Sequence, residues 1–281
     1  MFYHENKLQY EVRVEEPDPV FAKMLQQAIG GVEGEIRVAM QYLFQAWSLP
    51  PEHEKYRRML LNTGAEELGH IEMLATAVAK NLEGAPLELR EEMTQAVGAG
   101  TMNGVQPRQI LSSGLHAMAV DSDGVPFNGN YVVASGNLAA DMTANVMAES
   151  TGRLLATRLW EMTDDPGMRD MLSYLIARDT MHQNQWLRVL QDLGETDDPF
   201  EAFPIPDSFP DGEENQEFNY AFMTTDADGQ ADYEAPWTRG TSMDGEGQFS
   251  HVRQRDLDGD DPDVSVPDPR THDDPTPKGE D

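Results

Sequence analysis

Residues 55–74 read KYRRMLLNTGAEELGHIEML, a stretch that places a carboxylate and an imidazole on the apolar face of a predicted helix. Positions along that face recur at steps of three and four residues, which is the spacing of one side of an α-helix. Glu67 and His70 are three residues apart on this face, so we expect both side chains to point into the core. The face comprises Leu60, Thr63, Glu67, His70, Leu74 and Ala77.

A second stretch, MRDMLSYLIARDTMHQ at residues 168–183, repeats this arrangement later in the chain. Asp179 and His182 are again three residues apart on the apolar face of a predicted helix. A single carboxylate-x-x-histidine pair is usually a solvated helix surface, whereas two such pairs on predicted core faces indicate one shared site. The second face comprises Leu172, Leu175, Asp179, His182, Trp186 and Val189.

Each of these helices is preceded by a predicted helix with one glutamate on its core face. Glu35 precedes His70 by 35 residues, and Glu149 precedes His182 by 33 residues. The connection within each helix pair is short, so each pair should form an antiparallel hairpin, and residues 84–135 should cross over between the hairpins. We therefore predict an all-α four-helix bundle with an extended, mostly irregular C-terminal segment. The predicted helices are 19–48, 53–82, 136–163 and 166–193, with a short helix near 107–119 in the crossover.

Four carboxylates and two imidazoles in one predicted core need compensating positive charge. Burying a single unpaired carboxylate costs several kcal/mol, which is comparable to the net stability of a domain. No lysine or arginine stands at the matching level of these helix faces. Two divalent cations would balance the charge, and because the chain has no cysteine, carboxylates and histidines must hold them. This ligand pattern is that of a di-iron or dimanganese helix bundle.

The formal net charge is −31, from 51 acidic and 20 basic residues. Such a charge argues against nucleic acid and anionic membranes as partners, since both are themselves negative. Only five lysines accompany fifteen arginines, and an acidic surface poor in lysine is typical of proteins from salt-loving organisms. The sequence has no apolar run long enough to span a membrane and no signal-peptide pattern, so we expect a cytoplasmic protein.

Two domains are predicted, a catalytic bundle at residues 1–194 and an acidic C-terminal extension at 195–281. The extension holds 25 of the 51 acidic residues, and the helical period stops after Gly194. Its many prolines, glycines and charges indicate a strap that lies on neighbouring subunits and has a disordered end.

The sequence resembles the manganese catalases, a family of ferritin-like four-helix bundles, over nearly its whole length. The resemblance is carried by the two stretches quoted above and by GGVEGEIRVAMQYLFQAW (30–47) and SGNLAADMTANVMAES (135–150). It implies that the chain disproportionates hydrogen peroxide to water and dioxygen at two manganese ions that cycle between Mn(II) and Mn(III). It also implies a homohexamer in which C-terminal extensions wrap adjacent subunits.

The resemblance gives each metal ion one terminal glutamate and one histidine, with a further glutamate bridging both ions. The implied ligands are Glu35 and His70 for one ion, Glu149 and His182 for the other, and Glu67 for both. The implied catalytic residues are Glu67, Asp179 and Tyr42. Tyr42 matches the family's tyrosine beside the ligands, and a carboxylate at 67 or 179 would carry protons.

Three positions near the ligands differ from the family pattern. Asp179 stands where the family commonly has a glutamate, and Ala148 stands where some relatives have an arginine. Arg58 and Asn62 occupy positions that are acidic calcium ligands in some relatives, so we regard calcium as doubtful. The acidic loop at 226–228 is the remaining candidate for a cation.

The ligands alone do not choose between manganese and iron. A di-iron oxidase or ferroxidase on the same bundle would use Asp179 as a sixth ligand and would consume dioxygen with iron(II). A non-enzymatic metal-storage assembly would bind metal without catalysis. The flanking stretches favour a catalase, because they match a catalytic family rather than a storage cage.

Overall fold

A computed structural model describes residues 7–83, 112–114, 116–194, 215, 218–224, 236, 238–242, 245 and 247–253. Contacts between residues divide the chain into two compact units, Met1–Ser208 and Phe209–Asp281. The first unit contains all the described helices. The predicted assignment of a catalytic domain to 1–194 and a strap to 195–281 stays a prediction.

The first unit is a helix bundle in which α2 pairs with α3 and α4 pairs with α5, while α1 packs against α3. Single 3-10 turns at Pro51–His53 and Gly129–Tyr131 lie in the connections. The predicted helical class is therefore confirmed. The helices are α1 (Pro19–Gly30), α2 (Glu35–Ser48), α3 (Glu54–Glu83), α4 (Leu138–Glu161) and α5 (Pro166–Gly194).

The prediction of one continuous helix over 19–48 is wrong, because the chain breaks between α1 and α2. At Gly30 a Cβ atom would lie 2.5 Å from the backbone of Val120, so the crossover can pass this point only beside a glycine. Gly31 then leaves the helix in an extended conformation. Val32 lies in the connecting turn and is 41% exposed. The break leaves Glu35 in the first turn of a separate helix.

Buried amide side chains fasten the described part of the crossover to the bundle. The Gln26 amide nitrogen donates to the carbonyls of Met118 and Val120 at 2.8 and 3.0 Å. Near the other end, the Gln45 amide nitrogen donates to the Val133 carbonyl at 2.9 Å. The Gln41 amide oxygen accepts from the Val133 N–H at 3.0 Å, and both glutamines bond Asn145 on α4. These bonds join neutral groups. Of the helix predicted near 107–119, Ser112 and Ser113 are helical, residues 116–119 are not, and 107–111 and 115 lie outside the described residues.

Two apolar clusters fill the bundle, one toward each end. α3 contributes Leu74 to one cluster and Leu60 to the other, with Glu67 and His70 between them. α5 likewise contributes residues to both clusters on either side of His182. The polar residues singled out from the sequence therefore form a layer between two apolar clusters.

The second unit contains a three-stranded sheet in the order β1-β3-β2, where β1 is Ala221–Thr224, β2 is Gly240–Thr241 and β3 is Gln248–Arg253. β1 runs parallel to β3, and β2 runs antiparallel to it. The sequence predicts an irregular segment here and does not predict this sheet. Within the described part of the chain, no helix is long and apolar enough to cross a membrane.

Asp165 joins the N-terminal segment to the start of α5. One carboxylate oxygen accepts from the Met168 N–H at 2.9 Å, and the other accepts from the N–H groups of Glu15 and Glu16 at 2.7 and 3.0 Å. Although partial burial acts to raise the pKa of Asp165, these backbone donors hold it below its usual value. Its stabilising contribution is therefore present above the unfolded-state pKa and is lost as the pH falls through the lowered folded-state pKa.

The variant Asp165→Ala should lose about 2 kcal/mol of unfolding free energy at neutral pH, because it removes a helix cap and two further hydrogen bonds. Urea unfolding of the full chain measures this loss. The matched control is Asp164→Ala, since Asp164 is fully exposed and pairs with Arg169 at 2.9 Å on the surface. We expect the control to change stability by less than about 0.5 kcal/mol, and equal losses in both variants would contradict the capping role.

Candidate metal centre

The polar layer of the bundle contains two overlapping groups of metal-ligand side chains. One group is Glu35, Glu67 and His70, and the other is Glu67, Glu149 and His182. Within each group, one ligand atom from each residue lies within 4.8 Å of the others. The structure thus brings together all five sequence-predicted ligands, with Glu67 common to both groups.

Glu67 faces both histidines through different oxygens. Its Oε2 lies 2.6 Å from His70 Nδ1, and its Oε1 lies 2.8 Å from His182 Nδ1. The two imidazole rings are 5.9 Å apart and nearly parallel. A carboxylate placed between two histidines in this way can offer one oxygen to each of two ions.

The atoms at the centre of the layer are deeply buried. Glu67, His70 and His182 are each at most 1% exposed. None of their side-chain oxygen and nitrogen atoms has a hydrogen bond of good geometry among the described residues. Buried polar atoms without such bonds are costly, and metal coordination would satisfy them. The donor set and its unmet bonding capacity therefore fit a pair of metal ions.

Glu149 is oriented by two donors on one of its oxygens. The Tyr42 hydroxyl donates a short hydrogen bond to Oε1, and the Trp186 indole N–H donates to the same oxygen at 3.3 Å. Both aromatic side chains are fully buried, and their rings are 4.8 Å apart. The second oxygen of Glu149 carries neither of these bonds, and Oε1 lies 3.6 Å from His182 Nδ1.

Burial and mutual repulsion raise the pKa values of several carboxyl groups in the layer. Burial, followed by the charge of Glu67, raises the pKa of Glu35 to about 7 and that of Glu149 to about 8. Burial also raises the pKa of Asp179 well above its usual range, with further contributions from Glu35 and Glu149. Positive charge in the middle of the layer would relieve this repulsion.

For Glu67 and the histidines, the effect of neighbouring charges on the pKa outweighs the effect of burial. Burial acts to raise the pKa of Glu67, but the positive charges of His70 and His182 lower it to about 2. Burial acts to lower the pKa of His182, but Glu66 and Glu67 raise it to about 10. Among the three carboxylates of the ligand groups, Glu67 therefore ionises more readily than Glu35 and Glu149.

Asp179 lies on the same layer but is a member of neither ligand group. Its carboxyl group is buried, and an oxygen of that group lies 3.7 Å from the place where a Cβ at Gly152 would be. Tyr42 contacts the layer through Glu149. The structure therefore positions the predicted catalytic side chains around the ligands, and their roles remain predictions.

A carboxylate that helical periodicity does not single out, Glu66, faces both histidines from outside the layer. Glu66 Oε1 lies 3.2 Å from His182 Nε2 and 3.6 Å from His70 Nε2. Arg178 on α5 approaches the same carboxylate, with its Nε 2.6 Å from Oε1. Each is four residues before a histidine ligand on its own helix, a spacing that brings side chains together and could have signalled both. The prediction that no lysine or arginine stands at the level of the polar layer is therefore wrong for Arg178, which lies at the edge of that layer.

The other positions at which the sequence differs from the family pattern lie away from the polar layer or among the apolar residues next to it. Ala148 is buried in an apolar cluster beside Glu149. Arg58 and Asn62 are exposed on α3. The loop at 226–228 lies outside the described residues.

Comparisons with known proteins agree on one family. A sequence model described as "Manganese containing catalase" matches residues 1–280. The manganese catalase of Bacillus subtilis (strain 168) is 45% identical over 273 residues, covering 97% of both chains. The manganese catalase of Lactiplantibacillus plantarum is 37% identical over 273 residues, covering 97% of this chain and 98% of the relative. The crystal structure of KatB, a manganese catalase from Anabaena, superposes with a TM-score of 0.68 at 24% identity, over 90% of this chain and 99% of that one.

Proposed function

Because this chain belongs to the family of manganese-containing catalases, we propose that it disproportionates hydrogen peroxide to water and dioxygen. The observation that carries the proposal is the pair of ligand groups that share Glu67 in the middle of the bundle. Each half of the reaction moves two electrons. A site for two ions suits such a reaction, since each ion can exchange one electron.

We propose manganese as the resident metal, with two ions in each subunit. Carboxylate oxygens and imidazole nitrogens, without thiolate, suit manganese in its divalent and trivalent states. When bound, the two ions supply a two-electron store that alternates between Mn(II) and Mn(III). The proposed ligands are Glu35 and His70 for one ion, Glu149 and His182 for the other, and Glu67 between them.

Proton handling is assigned to the carboxyl group of Asp179. Burial and the neighbouring carboxylates raise its pKa, which favours a protonated carboxyl group that can exchange a proton with peroxide or water. The lowered pKa of Glu67 favours a purely bridging role for that residue. Burial and Glu149 raise the pKa of Tyr42 well above its usual value, so Tyr42 stays protonated and holds Glu149 in place.

The burial of the layer also selects for a small substrate. Glu67, His70 and His182 are almost inaccessible to solvent, so a large organic reductant cannot approach the ions directly. Hydrogen peroxide is small, uncharged and able to exchange protons with a nearby carboxyl group.

The manganese-loaded full chain should release one dioxygen molecule for each two peroxide molecules consumed. An oxygen electrode and peroxide absorbance, followed together, measure this ratio. The iron-loaded chain is the control and should turn over peroxide far more slowly. Peroxide loss without dioxygen release, or dioxygen consumption with iron(II), would overturn the proposal in favour of the di-iron alternative.

We further propose that the chain works as a cytoplasmic homohexamer. Large apolar side chains on the outer surfaces of two helices support an assembly: Phe44 and Trp47 on α2 are each 50% exposed, and Met147 and Leu154 on α4 are 51% and 49% exposed. With a net charge of −31, subunits repel one another, and salt screens that repulsion. Sedimentation at low and high salt tests this, and single-chain mass at both would contradict it.

A further inference from the structure

A row of aromatic rings leads from one metal-ligand histidine to the molecular surface. The ring of Tyr174 on α5 stands edge-on to the ring of His70, with centroids 6.2 Å apart and planes at 89°. Tyr174 also stacks on Tyr10 of the N-terminal segment, with centroids 4.6 Å apart and planes at 12°. We call Tyr10, Tyr174 and His70 the aromatic row.

The outer end of the aromatic row has a proton acceptor. The Tyr10 hydroxyl donates to Asp170 Oδ1 at 3.0 Å, and the other oxygen of Asp170 accepts from Arg13 at 3.1 Å. The Asp170 side chain is 37% exposed, so a proton that it receives can pass to water. Oxidation of a phenol is far easier when its proton can leave with the electron, and Asp170 provides for that departure.

The other half of the metal layer has no such exit among the described residues. Tyr42 and Trp186, which hold Glu149, are completely buried. Oxidised side chains at these positions would be trapped inside the bundle. Met142, in the same apolar cluster, is equally buried, and methionine oxidation disrupts a packed core. A site that handles peroxide therefore gains from an electron donor on the solvent side.

We propose that the aromatic row is a one-electron outlet that protects the bundle when the metal pair is left with one oxidising equivalent too many. One electron passes from Tyr10 to the oxidised metal pair by way of Tyr174 and His70. The Tyr10 hydroxyl proton moves to Asp170 Oδ1. The products are a neutral tyrosyl radical at Tyr10, a protonated Asp170 and a metal pair reduced by one electron.

A small water-soluble reductant that donates one hydrogen atom, such as ascorbate, then restores Tyr10. The protonated Asp170 returns its proton to water. The chain contains no cysteine that could serve as an internal donor. This inference rests on the proposed catalase function, which supplies the oxidised metal pair.

Radical trapping during turnover tests the outlet. The manganese-loaded full chain is given excess hydrogen peroxide with a nitroso spin trap, and peptide mass spectrometry locates the adducts. We expect an adduct on Tyr10 in the wild type and its loss in Tyr10→Phe, in Asp170→Asn and in Tyr174→Leu. In these variants, oxidation should appear instead at the buried Tyr42 and Trp186.

Tyr56 is the matched control, because it too donates to a carboxylate, Asp192, at 2.6 Å. The ring contacts of Tyr56 lead to His53 and Lys55 on the surface rather than to a ligand histidine. Tyr56 should carry no adduct, and Tyr56→Phe should leave the labelling of Tyr10 unchanged.

The two proposals fail in different ways. Dioxygen release with no adduct on Tyr10, or with equal adducts on Tyr10 and Tyr56, overturns the outlet alone. Unchanged oxidation of Tyr42 and Trp186 in Tyr10→Phe also overturns it. Absence of dioxygen from the loaded wild type overturns the catalase function and the outlet with it.

Discussion

Replacing Glu67 with alanine should abolish dioxygen release from hydrogen peroxide. The carboxylate of Glu67 is the only member common to both ligand groups, and its two oxygens face His70 and His182 at 2.6 and 2.8 Å. Without it, each group is reduced to two ligands, and nothing holds the two ions at a fixed separation. Metal analysis together with an oxygen electrode should show less than two manganese ions per chain and no measurable activity.

The companion variant Glu67→Gln separates the effect of the negative charge of Glu67 from the effect of its side-chain shape. Glutamine preserves the volume of the side chain but cannot bridge two cations as an anion, so we expect the same loss. The control is Glu54→Ala on the same helix, whose carboxylate is 66% exposed, and it should retain full metal content and rate. Wild-type activity in Glu67→Gln would show that the carboxylate charge is not needed and would remove Glu67 from the site.

The variant Glu66→Gln should lower manganese affinity or activity by about 10- to 100-fold, the usual effect of removing a carboxylate that orients a ligand histidine. Glu66 Oε1 lies near the outer nitrogens of both histidines, at 3.2 Å from His182 and 3.6 Å from His70. A negative charge there favours a proton on each Nε2 and leaves each Nδ1 free for metal. Because one carboxylate serves both histidines, a single substitution weakens both ion sites.

Competition with a chelator measures the affinity, and initial dioxygen release measures the rate. Glu54→Gln is the matched control, since Glu54 also lies on α3 and pairs with an arginine, Arg57, at 4.0 Å on the surface. We expect no effect from this control. If Glu66→Gln bound both ions with wild-type affinity and turned over at the wild-type rate, Glu66 would have no role in orienting the histidines.

The burial of Glu67, His70, Asp179 and His182 could be predicted from the sequence because helical periodicity indicates which side chains face the core. Glu67 and His70 interrupt an apolar face at the correct phase, and the same holds for Asp179 and His182 on α5. Periodicity does not identify Glu66 and Arg178, because they lie beside the apolar faces of α3 and α5 rather than on them. Their contribution depends on two helices approaching each other, which periodicity within one helix does not describe.

Other features depend on contacts between residues far apart in the chain. At the break between α1 and α2, Gly30 lies against the backbone of Val120, some 90 residues later, and a continuous apolar period over 19–48 conceals the break. The sheet in the second unit joins Ala221 to Ser250 and Gly240 to Phe249 through strands of two to six residues. Strands this short carry too little alternation to be recognised without their partners.

The hydrogen bonds of the glutamine and asparagine side chains that hold the crossover affect the salt concentration and pH at which the protein can work. Amide hydrogen bonds involve no net charge, so neither dissolved ions nor a change in acidity weakens them as it would a surface ion pair. Gln26, Gln41, Gln45 and Asn145 are all at most 1% exposed, and water competes little for their bonds. These bonds between the bundle and the described part of the crossover therefore depend little on the salt concentration of the medium.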